Sequence, residues 1–123
     1  MGAIFIDPKR GRSNLQAIDM GLNSVGGDTS VLVFPEGQRT PDGQINKFKR
    51  GFVYILMQSS LDLLPVTLSG FYQMKPVKRF FFDPDTKPEI IIHEPIGNAR
   101  ARKMSEKDLL EETTNIIGGV YRP

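Results

Sequence analysis

The chain has 123 residues, with nine prolines but no cysteine and no tryptophan. This length predicts a single domain, residues 1–123, with one core. Hydrophobic residues make up 39% and charged residues 24%, a composition typical of a folded globular domain and not of a disordered chain. The missing cysteines exclude disulfides, thiolate nucleophiles and cysteine-based zinc sites. No apolar run approaches the roughly 20 residues that a membrane-spanning helix needs.

The formal net charge of +2 does not argue for nucleic acid as a partner, and no nucleic-acid-binding motif is present. The distribution of charge is more informative, because basic residues cluster near Arg10 and again between Arg39 and Arg50. Two basic clusters on loops indicate an anionic ligand or a membrane surface. A solvated charged face is the alternative interpretation.

The first part of the chain alternates apolar runs with polar stretches. Residues 3–6 predict a buried strand, and a helix that begins near a cap at Ser13 or Asn14 follows to residue 25, after which two glycines stop it. Residues 31–34 predict a second buried strand. The polar stretch 36–49 contains proline, aspartate and glycine together and predicts a loop with a tight turn.

The second part continues this alternation. Residues 51–60 predict a helix with one apolar face, and residues 63–68 predict a strand that starts or lies at an edge because it contains a proline. Residues 79–82 and 89–93 are further strand candidates. Residues 105–117 carry an amphipathic stripe after a capping box, which predicts a closing helix.

Apolar strands that alternate with helices predict an α/β fold, with a mostly parallel sheet and helices on both faces. The chain opens almost directly on a strand of the buried type, so we expect an incomplete domain whose preceding part is missing. Such a truncation would expose a strand edge and an apolar patch, which predicts self-association.

Two polar loops, residues 7–12 and 35–50, leave the predicted carboxyl ends of strands, where open parallel sheets bind ligands. In the second loop Pro35 stiffens the turn and Gly37 lets backbone approach a ligand. Arg39 offers a planar fork that suits phosphate oxygens.

The block from Phe34 to Thr40 resembles the Phe-Pro-Glu-Gly-Thr-Arg-Ser block of the glycerolipid acyltransferases, the family of lysophosphatidic acid acyltransferases. The run from Gly2 to Asp7 is similar to the family's upstream block, which ends in Phe-Ile-Asp-Arg. Phe48 to Gly51 resembles its Phe-Lys-x-Gly step, and Leu64 to Val66 its hydrophobic-Pro-Val step. The resemblance covers residues 2 to about 98, and the blocks agree in order and spacing.

The resemblance implies an enzyme of phospholipid biosynthesis. It would transfer a fatty acyl group from acyl-CoA or acyl carrier protein to the hydroxyl of a lysophospholipid such as 1-acylglycerol 3-phosphate. It implies no cofactor besides this acyl donor and no metal. It also implies that the enzyme acts at the cytoplasmic face of a membrane, peripherally or through a membrane anchor in the missing part.

The resemblance assigns Glu36, Gly37 and Arg39 to the site that binds the phosphate end of the acceptor. Asp7 lies in its matching block and is expected at the same site, but Pro8 stands where the family has arginine. The structural alternatives are that Glu36 caps a turn or pairs with Arg39, and that Asp7 is a turn or capping residue.

Other basic residues are expected near the same phosphate. Arg10, or Lys9 beside it, could take the place of the missing arginine. Lys49 follows the motif loop and is included in the predicted site, with a solvated face as its alternative.

The family's catalytic block, His-x-x-x-x-Asp, supplies a general base and the acid that orients it. This chain has a single histidine, His93, and the residue five positions later is Asn98. We therefore interpret His93 as structural and expect the acceptor-binding part of an acyltransferase, inactive alone. The alternative is a non-catalytic module of the same fold that binds a phosphorylated ligand or an anionic membrane surface.

The aromatic run from Phe80 to Phe82 has no place in these blocks. Core or sheet edge is the favoured interpretation of such a run. Lys75, Lys78 and Arg79 precede it, which leaves contact with anionic lipid as the alternative.

Overall fold

A computed structural model describes residues 11–23, 30–78 and 80–123, with backbone only for residues 11–15. The chain divides into two compact units, Met1–Val33 and Phe34–Pro123, and the prediction of a single domain stays a prediction. The elements, in chain order, are α1 (Gly11–Asn23), α2 (Gly51–Gln58), β1 (Val66–Ser69), α3 (Phe71–Met74), β2 (Glu89–Ile92), α4 (Asn98–Ala101) and α5 (Glu106–Gly118). Helix α1 belongs to the first unit, and the elements from α2 to α5 belong to the second.

Strands β1 and β2 form an antiparallel pair in the second unit. Val66 pairs with Ile92, and the register continues to the pair of Ser69 with Glu89. Pro65 has no N–H to donate to a ladder, so regular pairing begins only after it. These strands confirm the predictions at 63–68 and 89–93, within a few residues.

The other strand predictions have different outcomes. Residues 3–6 lie outside the described part of the chain. Residues 31–34 form no strand, and the prediction that they are buried is wrong, since Leu32 is 81% exposed and Phe34 64% exposed. Residues 80–82 form no strand either. Among the described residues the sheet is antiparallel, so the mostly parallel sheet stays a prediction.

Three helices agree with the sequence within a few residues. Helix α1 begins and ends two residues before the expected span, α2 is two residues shorter than expected, and α5 is shifted by one residue. Ser105 caps α5 as predicted, because its Oγ accepts from the Asp108 backbone N–H at 3.1 Å. Its hydroxyl donates in return to Asp108 Oδ2 at 2.7 Å. The short helices α3 and α4 were not predicted.

The core of the second unit lies where α2 packs against α4 and α5, and where α5 packs against β1. Helix α2 is apolar on most of its surface, and this composition suits a helix buried on several sides. The buried side chains of this core are Phe52, Val53, Ile55, Leu56, Ile96, Ala101 and Leu109.

Asn98 links the end of α2 to the start of α4. Its side-chain amide donates to the carbonyl oxygens of Leu56, Ser59 and Leu61 at 3.0–3.2 Å. The last carbonyl groups of a helix lack their usual partner four residues on, so this amide adds a hydrogen bond at the end of α2. None of the helices in the described ranges has the length and apolar character needed to cross a membrane.

Candidate functional site

The motif from Phe34 to Gly37 forms a tight turn. The Gly37 backbone N–H donates to the Phe34 carbonyl at 3.0 Å, and the Lys49 N–H donates to the Pro35 carbonyl at 2.8 Å. The second bond ties the turn to the residues that precede α2. Residues 34 and 50 are therefore the two ends of one closed loop, which we call the 34–50 loop.

Gly37 has a backbone conformation that favours glycine. Its φ is +71°, in the left-handed region that glycine adopts without strain. A Cβ atom at this position would lie 2.7 Å from Lys49 Nζ. The Lys49 side chain thus lies across the backbone of the turn, and the structure brings these two predicted site residues together.

Glu36 holds the loop closed from inside. Its Oε2 atom accepts from the backbone N–H of Asn46 at 2.8 Å and from the Asn46 side-chain amide at 3.1 Å. The carboxylate is half-buried. Its observed bonds are therefore those of a residue that positions the loop, close to the turn-capping alternative. Asn46 itself was missed, because its spacing from Glu36 matches no local pattern.

Arg39 is exposed, and its side chain forms a hydrogen bond with a residue outside the 34–50 loop. Its Nη2 donates to the backbone carbonyl of Lys75 at 2.8 Å. Arg39 and Glu36 thus bond to different residues, and the alternative that they pair with each other is not what the structure has. A guanidinium carries five N–H donors, so this bond leaves it capacity to bind an anion.

The tip of the loop is ordered by Asp42. Its Oδ1 accepts from the Gln44 backbone N–H at 3.0 Å and from the Thr40 hydroxyl at 3.1 Å. The Gln44 bond first, and then the Thr40 bond, lower the pKa of Asp42 from its ordinary value. The tip is a side-chain-stabilised turn, in which aspartate accepts from the backbone two residues on.

Two tyrosines from distant parts of the chain hold this tip, and sequence reasoning missed both. Tyr72 donates its hydroxyl to the Pro41 carbonyl at 3.3 Å, and Tyr121 donates to the Gly43 carbonyl at 3.0 Å. Burial raises the pKa of Tyr121, and the Glu36 and Asp42 carboxylates raise it further. No periodicity or motif could have found contacts over this sequence separation.

His93 is engaged within the sheet. Its Nε2 lies 2.8 Å from the Thr67 hydroxyl oxygen, and that hydroxyl donates its proton to the Ile117 carbonyl at 3.1 Å. Because the single hydroxyl proton is used there, the ring donates from Nε2. This arrangement agrees with the structural role expected for His93.

The remaining expected site residues, Asp7 and Arg10, lie outside the described residues. Within the described ranges no group of three histidine or carboxylate residues is placed to hold a metal ion. A shallow groove of about 580 Å³ runs along α5, lined by Asp108, Glu111, Glu112, Asn115 and Ile116. Its carboxylates would repel a phosphate, so the 34–50 loop remains the candidate site.

Replacing Gly37 tests the geometry of the turn. Gly37→Ala is expected to destabilise the chain by about 1–2 kcal/mol, because alanine is strained at positive φ. Thermal unfolding measures this loss as a lower Tm. Gly51→Ala is the matched control, since a Cβ there meets nothing within 4 Å, and its Tm should not fall. Equal Tm values for the two variants would contradict this geometry.

Tyrosine titration tests the contact at the loop tip. A raised pKa means that Tyr121 ionises in the folded chain only above its ordinary value of 10.0. Its contribution to stability is therefore complete below pH 10 and is lost as pH rises through the folded pKa. Ultraviolet absorbance of tyrosinate should reveal a late step that Tyr121→Phe removes. A late step that survives in Tyr121→Phe would contradict the contact.

Comparison with known proteins gives one consistent result. A family model described as Acyltransferase matches residues 1–69 of the chain. The chain is similar to 1-acyl-sn-glycerol-3-phosphate acyltransferase BAT2, chloroplastic, of Brassica napus, with 26% identity over 95% of this chain and 35% of that protein. It is also similar to the human 1-acyl-sn-glycerol-3-phosphate acyltransferase beta, with 30% identity over 69% of this chain and 31% of that protein.

A solved structure supports the same relationship. The crystal structure of the 1-acyl-sn-glycerophosphate (LPA) acyltransferase PlsC from Thermotoga maritima is 31% identical, with a TM-score of 0.67. The match covers 85% of this chain and 40% of that one, and the chain likewise spans 35% and 31% of the first two relatives. Since the family model matches more than half of its residues, and a neighbour of the same kind shares its fold, the chain belongs to the acyltransferase family.

Proposed function

We propose that this chain is the acceptor-binding part of a glycerolipid acyltransferase. The whole enzyme would move a fatty acyl group from acyl-CoA or acyl carrier protein to the hydroxyl of a lysophospholipid such as 1-acylglycerol 3-phosphate. The relatives named for that activity support the reaction. The observation that carries the proposal is the Lys49 side chain lying across the Gly37 turn, in the block that matches the family.

The loop offers a phosphate two cations of different kinds. The Lys49 ammonium lies over the turn, and Arg39 on the same loop presents a planar guanidinium. An ammonium acts as a point charge, while a guanidinium can bind two oxygens at once. In this proposal both bind the phosphate end of the acceptor, with Asp7 and Arg10 as further expected members.

Glu36 has a different part in this site. A carboxylate facing a phosphate would repel it, but Oε2 of Glu36 already accepts two N–H bonds from Asn46. We therefore assign Glu36 as a positioning residue. It fixes the loop so that the turn and its cations keep one geometry before the ligand arrives, which reduces the ordering cost of binding.

The proton of the acceptor hydroxyl needs a base that these residues do not supply. The chain has no His-x-x-x-x-Asp block, and its single histidine is bonded to Thr67 in the sheet. We infer that the general base lies outside this polypeptide. The expected mostly parallel sheet with helices on both faces, and peripheral attachment at the cytoplasmic face of a membrane, belong to the same proposal.

A second candidate function follows from the same absence. A chain with a phosphate-binding loop and no catalytic base could act as a non-catalytic module for a phosphorylated ligand or an anionic membrane surface. Self-association also stays a prediction, favoured by the exposed apolar side chains of Leu68, Ile90 and Ile92 on one face of the sheet.

Binding of sn-glycerol 3-phosphate tests the acceptor site. Arg39→Ala should weaken binding by roughly 1.5–3 kcal/mol, because a charged hydrogen bond to phosphate is lost. Isothermal titration calorimetry measures the change. Arg100→Ala is the matched control, since this exposed arginine pairs with Glu112 at 2.8 Å on another part of the unit. Equal affinity for Arg39→Ala and the unaltered chain would remove Arg39 from the site.

Turnover by the purified 123-residue chain tests whether the general base lies outside it. With acyl-CoA or acyl carrier protein as donor and 1-acylglycerol 3-phosphate as acceptor, we expect no acyl transfer above background, because the base is missing. Radiolabelled acyl groups measure this directly. Sustained turnover that is unchanged in His93→Ala would contradict a histidine base outside this chain. Sustained turnover that is lost in His93→Ala would contradict the structural role of His93.

A further inference from the structure

The residues between Met74 and Asp83 form a second, separate loop. The Asp83 backbone N–H donates to the Met74 carbonyl at 2.8 Å, so residues 75–82 are closed at their base. Helix α3 leads into this base, and on the other side the Asp85 N–H donates to Asp83 Oδ1 at 3.1 Å. We call residues 75–82 the aromatic loop.

The tip of the aromatic loop presents three phenylalanines to solvent. Phe80 is 92% exposed, Phe81 81% and Phe82 62%. The prediction that this run is core or sheet edge is therefore wrong. The Phe80 and Phe81 rings contact each other edge to face, with centroids 6.1 Å apart, so the tip is a cluster rather than three separate side chains. An exposed apolar cluster of this kind marks an interaction surface.

The charged residues within the aromatic loop have one sign, and the acidic Asp83 lies just outside it, at the base. The sequence from Lys75 to Phe82 contains three cations, Lys75, Lys78 and Arg79, and no acidic residue. The Lys75 ammonium lies 5.0 Å from the centroid of the Phe82 ring. Aromatic rings bordered by ammonium groups match the boundary of an anionic bilayer, where rings enter the acyl region and cations remain among phosphates.

We propose that the aromatic loop inserts into the surface of an anionic lipid bilayer. A protein partner is the weaker alternative, because nothing in the charge pattern specifies it, whereas rings and cations together fit a lipid surface. The loop also joins the 34–50 loop directly, through the bond from Arg39 to the Lys75 carbonyl. Insertion would therefore bring Arg39 to the level of the lipid phosphates, a last step that rests on the proposed function.

Vesicle co-sedimentation of the 123-residue chain tests the insertion. Vesicles of phosphatidylcholine with phosphatidylglycerol should bind the chain, and vesicles of phosphatidylcholine alone should bind it much less. Phosphatidylglycerol supplies the negative charge without being the expected acceptor. Replacing Phe80, Phe81 and Phe82 together by serine should weaken binding by at least about tenfold. Replacing Lys75 and Lys78 by glutamine should weaken it by about fivefold for each lysine.

Matched control variants test for nonspecific hydrophobic binding and nonspecific electrostatic binding to vesicles. Ile90→Ser with Ile92→Ser removes exposed apolar groups from the sheet, and Lys103→Gln with Lys107→Gln removes exposed cations elsewhere. Both pairs should leave vesicle binding unchanged. If the serine variant of the aromatic loop binds vesicles as the unaltered chain does, or if the control pairs lose binding equally, the proposal is wrong.

The absence of tryptophan gives a second readout. Phe81→Trp places one tryptophan at the tip, and its emission should shift to the blue and resist aqueous quenchers on anionic vesicles. Ile90→Trp should do neither. If Phe81→Trp shifts only with protein concentration and without lipid, the tip contacts a second copy of the chain, which overturns the proposal.

Failure of this inference can be told from failure of the proposed function. If the aromatic loop does not bind lipid, binding of sn-glycerol 3-phosphate and its dependence on Arg39 should still be observed. A wrong acceptor site would abolish the effect of Arg39→Ala on that binding while the aromatic loop still binds vesicles.

Discussion

The candidate site depends on the two hydrogen bonds that the Glu36 carboxylate accepts from Asn46. They fold the 34–50 loop back on itself, so that the residues before α2 return to the turn where the loop begins. The positive φ at Gly37 belongs to the same arrangement, and a Cβ there would lie 2.7 Å from Lys49 Nζ, so the lysine side chain would have to shift. An acidic residue thus stabilises a loop whose exposed charged side chains, apart from Asp42 at the tip, are basic.

In this arrangement the groups that hold the loop in shape differ from the cations that would bind the ligand. Bonds within the loop, and from Tyr72 and Tyr121 to its tip, hold the backbone of the loop in place. A loop fixed in this way loses little conformational freedom when a phosphate binds. The hydrogen bond from Arg39 to the Lys75 carbonyl connects the candidate site to the aromatic loop, so the two surfaces lie side by side.

The motif from Phe34 to Thr40, with the other blocks in matching order and spacing, predicted the family, and the comparisons confirm that prediction. The same block predicted a turn stiffened by Pro35, and the bond from the Gly37 N–H to the Phe34 carbonyl closes that turn. The capping box at Ser105 and the amphipathic stripe after it likewise predicted α5 almost to the residue. In each case a few neighbouring residues determine the outcome, and such local patterns can be recognised in the sequence alone.

What the sequence could not determine depends on contacts between distant residues. Apolar content predicted buried strands at 31–34 and burial of Phe80 to Phe82, yet Leu32 and all three phenylalanines are exposed. Apolar character measures the tendency to leave water, but tertiary packing decides which side chains find partners. The sequence by itself determined the local turns, the caps and the family. Only the tertiary structure assigned Glu36 to Asn46 and Arg39 to Lys75, because those partners are chosen by how the chain folds back on itself.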